Sequence, residues 1–295
     1  MALSLPLLLA VFSTVGASAW SLLSRKIFGG ESDFLAAGAL NEILSASLLV
    51  LLLVSFGSAF GAFSLDPSSI PPVGWAALVI SLFSYTTGTL VSYKAFQTGE
   101  ANERAVINQL QNVLTLAMAA LLLNEPLFAS KVLGVLLILI AAVLCTYRKS
   151  GSRWHVSGVK LFLLAAFFFG IGGLSDKVAL QYFPVLLYAP LMFIGPAVVA
   201  LAMMGRTMLP RLRSVWSRHG LWIPLFSILS AIPYLAFLYA LRELPVSVVA
   251  PLMNTNVVLT AVGGIILLNE REGWPQKLAG AALAFVGALL LGMSI

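Results

Sequence analysis

The segment LLLNE at Leu121–Glu125 returns as ILLNE at Ile266–Glu270. Each copy closes an apolar run and is followed by a polar turn and a last apolar run that contains glycine. Further matches lie upstream at an offset of 145 or 146: Ser81–Ser84 with Ser227–Ser230, Tyr93 with Tyr239, and Ala105 with Ala250. The first apolar runs of the two copies also end alike, at Ser24–Lys26 and Ser175–Lys177. The chain therefore consists of two copies of one unit.

The composition places these units in a membrane. Of the 295 residues, 60% are hydrophobic and 9% are charged, whereas soluble proteins average about 25% charged residues. The apolar runs are about 20 residues long and do not alternate, which is typical of membrane-spanning helices and unlike barrel strands. The sequence thus predicts an all-α integral membrane protein.

Ten such runs predict ten transmembrane helices, five in each unit. The predicted spans are Leu3–Ser24, Phe34–Phe56, Val73–Ala95, Asn102–Leu123, Ser130–Tyr147, Val156–Leu174, Gln181–Met203, Gly220–Leu241, Val246–Leu268 and Pro275–Met293. The units are residues 1–149 and 150–295. An odd number of spans per unit inserts the second copy upside down, so we expect the inverted repeats found in secondary transporters.

Basic residues indicate the orientation. The net charge is +6, and all but three of the 17 Lys and Arg residues lie in or beside the loops that follow odd-numbered spans; the exceptions are Lys131, Lys177 and Arg242. Lys and Arg favour the cytoplasmic side. We therefore expect a multi-pass protein of the cell (inner) membrane with both termini extracytoplasmic, and no nucleic-acid partner. No positive charge precedes the first apolar run, so we expect no cleaved signal peptide despite Ala17–Ala19.

Several of these residues resemble a known family. Trp20 and Lys26 in the first span, Tyr93, Ala95 and Ala105 leading into LLLNE, and Tyr239 and Ala250 leading into ILLNE resemble the EamA-type members of the drug/metabolite transporter superfamily. The resemblance implies ten helices in two repeats, with export or exchange of small metabolites such as amino acids by alternating access to a cavity between the repeats. Two features depart from that family. Asn41 and Glu42 stand where it often has an arginine, and its members tend to keep their termini in the cytoplasm.

Glu42 is the sharpest candidate for a site residue. It lies about 13 Å along a helix from Asp33, at 1.5 Å per residue, and so falls near the middle of the membrane. A carboxylate at that depth needs a partner, a proton or a protein interior. We interpret Glu42 as a proton-coupling group or as the counter-charge of a cationic substrate. The structural alternative is a carboxylate bonded to Asn41 or to a neighbouring helix.

Amide side chains recur in the fourth and ninth spans. Asn108, Gln111 and Asn112 share one helix face, and Asn254 and Asn256 in the second unit align with Gln109 and Gln111. Amides in lipid need partners, so these faces either join helices or line a wet cavity. We place substrate-binding residues here, at Asn108, Gln111, Asn254 and Asn256.

Tyrosines on two polar helix faces complete the candidate site. Tyr85 shares a small, polar face with Ser81, and Tyr234 shares another with Ser230. Tyrosine combines an apolar ring with a polar tip and suits an amphipathic metabolite, although packing is the alternative. Trp20 is a weaker candidate because it, like Tyr188, could belong to an interfacial belt. The other candidates are Asn41 and Glu42.

Enzyme and metal chemistry have little basis in the sequence. His155 and His219 lie in basic loops, and Cys145 is a single cysteine inside an apolar run. We expect no catalytic residues, cofactor or metal, and we read Glu270 as a helix cap or a partner of Lys277. The favoured function is a monomeric secondary transporter of a small polar or amphipathic metabolite, amino-acid-like or cationic, with protons as a candidate coupling ion. A flippase for lipids or lipid-linked sugars is the alternative, and a membrane enzyme or receptor a third class.

Overall fold

The structure is a computed structural model, and it describes residues 5–111, 114, 129–146, 156–244, 253, 255–270 and 273–292. Within these ranges the chain contains α-helices, two short 3-10 turns and no strand. The helices are α1 (Leu5–Phe28), α2 (Phe34–Phe56), α3 (Pro72–Phe96), α4 (Ala101–Ile107), α5 (Ala129–Thr146), α6 (Val156–Ala179), α7 (Val185–Met204), α8 (Met208–His219), α9 (Trp222–Glu243), α10 (Asn256–Leu267) and α11 (Trp274–Gly292).

Six helical stretches of the described chain are long and apolar enough to cross a membrane. They comprise α1, α2, α3, α6, α7 with its continuation into α8, and α9, while α5, α10 and α11 contain shorter apolar stretches. Apolar side chains on their outer faces are exposed, among them Leu51, Val79 and Phe83. A bilayer covers such surface, so the chain is an integral, multi-pass membrane protein.

Local signals explain where several helices begin. The carboxylate of Asp33 caps α2 by accepting a hydrogen bond from the backbone N of Ala36 at 3.1 Å. Glu100 and Glu103 form a capping box at the start of α4. Pro184 precedes the first residue of α7 and supplies no backbone N–H of its own.

Most of the predicted spans overlap observed helices, although several bounds differ. The first helix extends to Phe28, beyond the predicted end at Ser24. The seventh span begins at Val185 rather than Gln181, because the chain turns ahead of Pro184. The sixth extends to Ala179, beyond the predicted end at Leu174. The loop predicted between Arg206 and Arg218 contains α8, an amphipathic helix. Much of the predicted fourth and ninth spans lies outside the described residues.

The two halves of the chain pack mainly against each other. The principal pairs are α3 with α6, α5 with α11, α2 with α7 and α1 with α9, and α4 also contacts α10. Each pair joins one helix from residues 5–146 to one from residues 156–292. The approach of α1 to α9 is close at Gly16, where a Cβ atom would lie 2.2 Å from Cγ of Pro233. Glycine at this position therefore allows the contact between the halves.

Candidate functional site

A cavity of about 400 Å³ lies between the halves. Residues on α1 to α4 line it from the first half, and residues on α6, α7, α9 and α10 line it from the second. Predicted site residues in its wall are Trp20, Glu42, Tyr85, Asn108, Gln111, Tyr234 and Asn256. Asn41 lies behind the wall with its side chain fully buried, and Asn254 lies outside the described residues.

Glu42 belongs to a hydrogen-bonded group at one end of the cavity. Its Oε1 accepts a hydrogen bond from the hydroxyl of Tyr93, and a second one from Nδ2 of Asn41 at 3.0 Å. The side chain is 2% exposed. Asn41 also bonds the Tyr93 hydroxyl at 2.7 Å. These hydrogen bonds replace those that the carboxylate of Glu42 would make to water. Asn41 does not line the cavity itself but contacts Glu42, which does.

Asp176 forms a second buried carboxylate group, which the sequence analysis missed. It lies near the end of α6 and is 1% exposed. Its oxygens accept hydrogen bonds from Ser81 at 3.0 Å, from Tyr85 at 2.6 Å and from the hydroxyl of Tyr188. Tyr188 is fully buried and so does not belong to an interfacial belt. Asp176 thereby joins α3 of the first half to α6 and α7 of the second.

Arg104 is another charged residue of the cavity wall that the sequence analysis missed. Its Cζ lies 4.6 Å from the ring centroid of Trp20 and 5.8 Å from that of Phe96, which is cation–π geometry. Trp20 in turn stacks on Phe226, with centroids 5.7 Å apart. Trp20 is therefore an interior residue, and Arg104, which the charge tally placed beside a loop, faces the cavity instead.

Aromatic side chains form the middle of the cavity wall. Tyr234 lies between Tyr85 and Phe193, with ring centroids 6.1 Å and 5.5 Å apart, and Phe169 packs on Tyr85 at 5.9 Å. Lys177, which is exposed, lies beyond them near the end of α6. We call Tyr85, Phe169, Phe193 and Tyr234 the aromatic band. The cavity thus runs from Arg104 and Glu42, past this aromatic band, towards the face where α6 and α9 end.

Four contacts between the halves close the opposite face. We call this set the polar seam; its members are Arg25 with Glu270, Lys277 with Glu100, Arg211 with Asp33, and Arg218 and His219 with Glu31. Each contact joins one residue of the first half to one or two of the second. None of the seam residues lines the cavity, in the part of the chain that the structure describes.

The pairs within the polar seam differ in geometry. Arg211 holds Asp33 through two bonds of 2.6 Å, and this guanidinium, aided by the Ala36 backbone, keeps the pKa of Asp33 below its usual range. Burial, together with the nearby charge of Glu100, raises the pKa of Glu270. Nζ of Lys277 contacts Glu270 through the backbone oxygen at 2.8 Å and bonds the carboxylate of Glu100 at 2.6 Å, and its charge also acts on the Glu270 carboxylate.

Both missed residues left a signal in the sequence. Arg104 lies inside the predicted fourth span, where a charge marks a functional position by default. Asp176 lies two residues beyond the predicted end of the sixth span, and the error in that boundary removed it from the membrane. The described residues contain no group of three or more His, Cys, Asp or Glu side chains that could hold a metal ion.

Comparison with known proteins agrees with this two-part architecture. A family model described as the EamA-like transporter family matches residues 4–147 and again residues 156–293. The chain belongs to the EamA-like transporter family. This family lies within the drug/metabolite transporter superfamily, so the predicted resemblance is confirmed. As an EamA-like protein the chain belongs to a family of membrane transporters rather than enzymes.

Two individual comparisons add detail. The probable 4-amino-4-deoxy-L-arabinose-phosphoundecaprenol flippase subunit ArnE of Aeromonas salmonicida (strain A449) is 36% identical over 58 residues, which are 20% of this EamA-like chain and 50% of that protein. The match thus spans about half the length of that curated relative. A solved structure, described as a crystal structure of a protein, is 15% identical with a TM-score of 0.66 and covers 97% of this chain and 98% of its own. At that identity the likeness shows a shared fold alone.

Proposed function

We propose that the chain is a secondary transporter that moves a small polar or amphipathic metabolite, amino-acid-like or cationic, by alternating access. One observation carries the proposal. The cavity lies between the halves and is lined by both, while the polar seam joins the halves across the opposite face. If the polar seam opened and the other face closed, the cavity would become accessible from the other side of the membrane. This switch would need no conformational change within either half.

The cavity wall suits a substrate with polar and apolar parts. Amide groups of Asn108, Gln111 and Asn256 face the cavity. Asn256 Oδ1 is buried and has no hydrogen-bond partner among the described residues. A ligand that satisfies these groups gains affinity and orientation from them, and the aromatic band accommodates its apolar part.

The direct test is transport by the purified protein in liposomes. A panel of labelled amino acids and organic cations would be loaded, and uptake followed with and without a pH gradient. Asn108→Leu, Gln111→Leu and Asn256→Leu are each expected to weaken binding while the protein still folds. Normal binding in all three variants would mean that the amides join helices and that the substrate lies elsewhere.

We propose protons as the coupling ion, with Glu42 as their carrier. Glu42→Gln keeps the shape of the side chain and an oxygen for the Tyr93 hydroxyl, but it cannot titrate. We expect proton-driven accumulation to fall while exchange of substrate continues. Selective loss of cationic substrates would instead identify Glu42 as a counter-charge. Glu243→Gln on the exposed end of α9 is the matched control.

Flipping of a lipid or a lipid-linked sugar is the second candidate function. The match to a relative described as a flippase subunit favours it over a short segment. A lipid scrambling assay with fluorescent phospholipids in the same liposomes separates the two functions. Scrambling without metabolite uptake would replace the first proposal with the second.

We further propose ten spans in two inverted five-helix repeats, residues 1–149 and 150–295. The pairing of α1 with α9 and of α6 with α3 supports this arrangement, because the first membrane-spanning helix of each half packs on the third membrane-spanning helix of the other half. The distribution of Lys and Arg supports an inner-membrane protein with both termini extracytoplasmic. A reporter fused after Ile295 that is active only in the cytoplasm would reverse this orientation.

We propose a monomer as the transporting unit. The description of the relative as a subunit makes an assembly of two chains the alternative. Light scattering of the purified protein in detergent, combined with cross-linking in the native membrane, distinguishes the two states. A defined dimer in both measurements would overturn the monomer.

A further inference from the structure

Arg104 stands out among the charged groups of the cavity because its guanidinium has no counter-charge among the described residues. It lines the cavity on α4 and contacts the rings of Trp20 and Phe96. Its Nε is buried without a hydrogen-bond partner in the described part of the chain, and the same is true of the indole Nε1 of Trp20. Two adjacent groups in the wall therefore have donors that the described residues leave unused.

The nearby carboxylates have other partners. Glu42 accepts hydrogen bonds from Tyr93 and Asn41. Glu103, next to Arg104 in the chain, accepts one from the backbone N of Glu100 at 2.9 Å. A guanidinium in a largely apolar interior is costly without an anion, so the arrangement leaves a place for a negative charge that the described protein does not fill.

We propose that Arg104 binds an oxyanion of the substrate, a carboxylate or a phosphate, at the end of the cavity nearest the polar seam. The planar fork of arginine matches either group, and Trp20 supports the fork from one face. This inference rests on the proposed function and narrows it. Substrates that carry only positive charge would place that charge against Arg104, whereas acid-bearing substrates fill the site.

The aromatic band determines which part of the ligand lies next to the oxyanion. Tyr93 and Arg104 both contact Trp20, so Tyr93 marks the Arg104 end of the cavity. Tyr85 and Tyr93 are about 12 Å apart along α3, at 1.5 Å per residue. The rings of Tyr85 and Tyr234 therefore lie about the length of a small metabolite from that end. A ligand with an oxyanion at one end and an apolar or aromatic body at the other therefore matches both regions. Asp176 lines the cavity beyond this band.

Matched probes test the proposal on the unaltered protein. We would measure thermal stabilisation of the full chain, in detergent and in phosphatidylcholine nanodiscs, by 3-phenylpropionate, its neutral amide and 3-phenylpropyl phosphate. The acid or the phosphate should stabilise the protein, because a ligand that binds the folded state raises its apparent stability, while the amide should not. Equal stabilisation by the amide and by the better of the two anions would overturn the proposal. The better of the two anions identifies the oxyanion, and nanodiscs with added phosphatidylglycerol reveal whether a lipid headgroup supplies it.

Variants assign the effect to Arg104. In Arg104→Gln the dissociation constant of the better anion should rise at least about tenfold, as expected for loss of a charged hydrogen bond. Arg213→Gln, on the exposed surface of α8, should leave it unchanged. Unchanged affinity in Arg104→Gln would refute the assignment. If that variant does not fold, Arg104→Lys replaces it, because lysine keeps the positive charge. The comparison of anion with amide on the unaltered protein remains decisive in either case. Anion binding without transport in liposomes would refute the proposed function alone.

Discussion

Removing one charge from the polar seam should open the closed face. The contact to change is Lys277 with Glu100, whose Nζ and Oε2 lie 2.6 Å apart with side chains only 6% and 11% exposed. Glu100→Gln keeps the size of the side chain and an oxygen for the ammonium, so it removes charge and little else. Lys277 also keeps its bond to the backbone oxygen of Glu270 at 2.8 Å.

The magnitude depends on burial. Loss of one partner from a buried pair costs about 3–5 kcal/mol. The glutamine oxygen and the Glu270 carbonyl retain part of the interaction, which leaves about 2–3 kcal/mol, or a shift of about 30- to 150-fold towards the open seam. In the open state, water solvates residue 100 and Lys277. Removing the charge of Glu100 therefore destabilises the open state less than the closed state.

A cysteine at Ser24 reports the shift. This side chain is fully buried on α1, beside the seam residue Arg25. In a Cys145→Ser background, a membrane-impermeant maleimide should label Ser24→Cys at least about 30-fold faster when Glu100→Gln is present, in line with the shift in the seam equilibrium. Glu243→Gln near the opposite face is the control and should leave the rate unchanged.

A double variant separates gating from unfolding. Glu100→Gln with Lys277→Met replaces the ion pair by groups that need no counter-charge, and such replacements are often neutral. We expect the labelling rate to return close to that of the parent. An unchanged rate in folded Glu100→Gln would refute the view that this pair holds the face closed.

Three further predictions concern acidity and packing. The folded protein binds a proton on Glu270 more tightly than the unfolded chain does, because the pKa of Glu270 is raised. Protonated Glu270 therefore stabilises the fold at low pH, and this contribution is lost as pH rises from 4.5 through the raised pKa. Glu270→Gln should remove this part of the pH profile of Tm. Asp33 contributes stability above pH 3.8 that is lost as pH falls through its lowered pKa, and Asp33→Asn should abolish that low-pH decline. Gly38→Ala would place a Cβ 2.5 Å from Cδ2 of buried Tyr93 and should lower stability by about 1–3 kcal/mol, whereas Gly30→Ala, with no atom within 4 Å, should be neutral in the same thermal assay.

Hydrophobicity and repetition were sufficient to predict most of the fold. Apolar runs of membrane length mark helices because the bilayer requires every backbone group to be bonded within the segment. The helix α8 was missed because it is too short and too basic to resemble a membrane span, although Met208, Leu212 and Val215 are spaced as on one face of a helix.

The site residues that could be predicted are those whose polarity alone makes them unusual within an apolar run. Glu42 and the amides are polar in apolar runs, and the described ones lie in or directly behind the cavity wall. Their role in binding stays a prediction. The bonds from Tyr85 and Tyr188 to Asp176 join three helices, and no local pattern specifies which helices meet. The same holds for the seam, where each charge alone resembles a surface residue.

The cross-half bonding of α3 also determines the order in which the protein can mature during synthesis. Ser81 and Tyr85 donate to Asp176, which is made 95 and 91 residues later. At about 5–20 residues per second, these hydroxyls wait roughly 5 to 20 seconds in the bilayer or the insertion machinery before their acceptor exists. The first half therefore inserts while the hydroxyl groups of Ser81 and Tyr85 still lack the acceptor that they have in the folded protein.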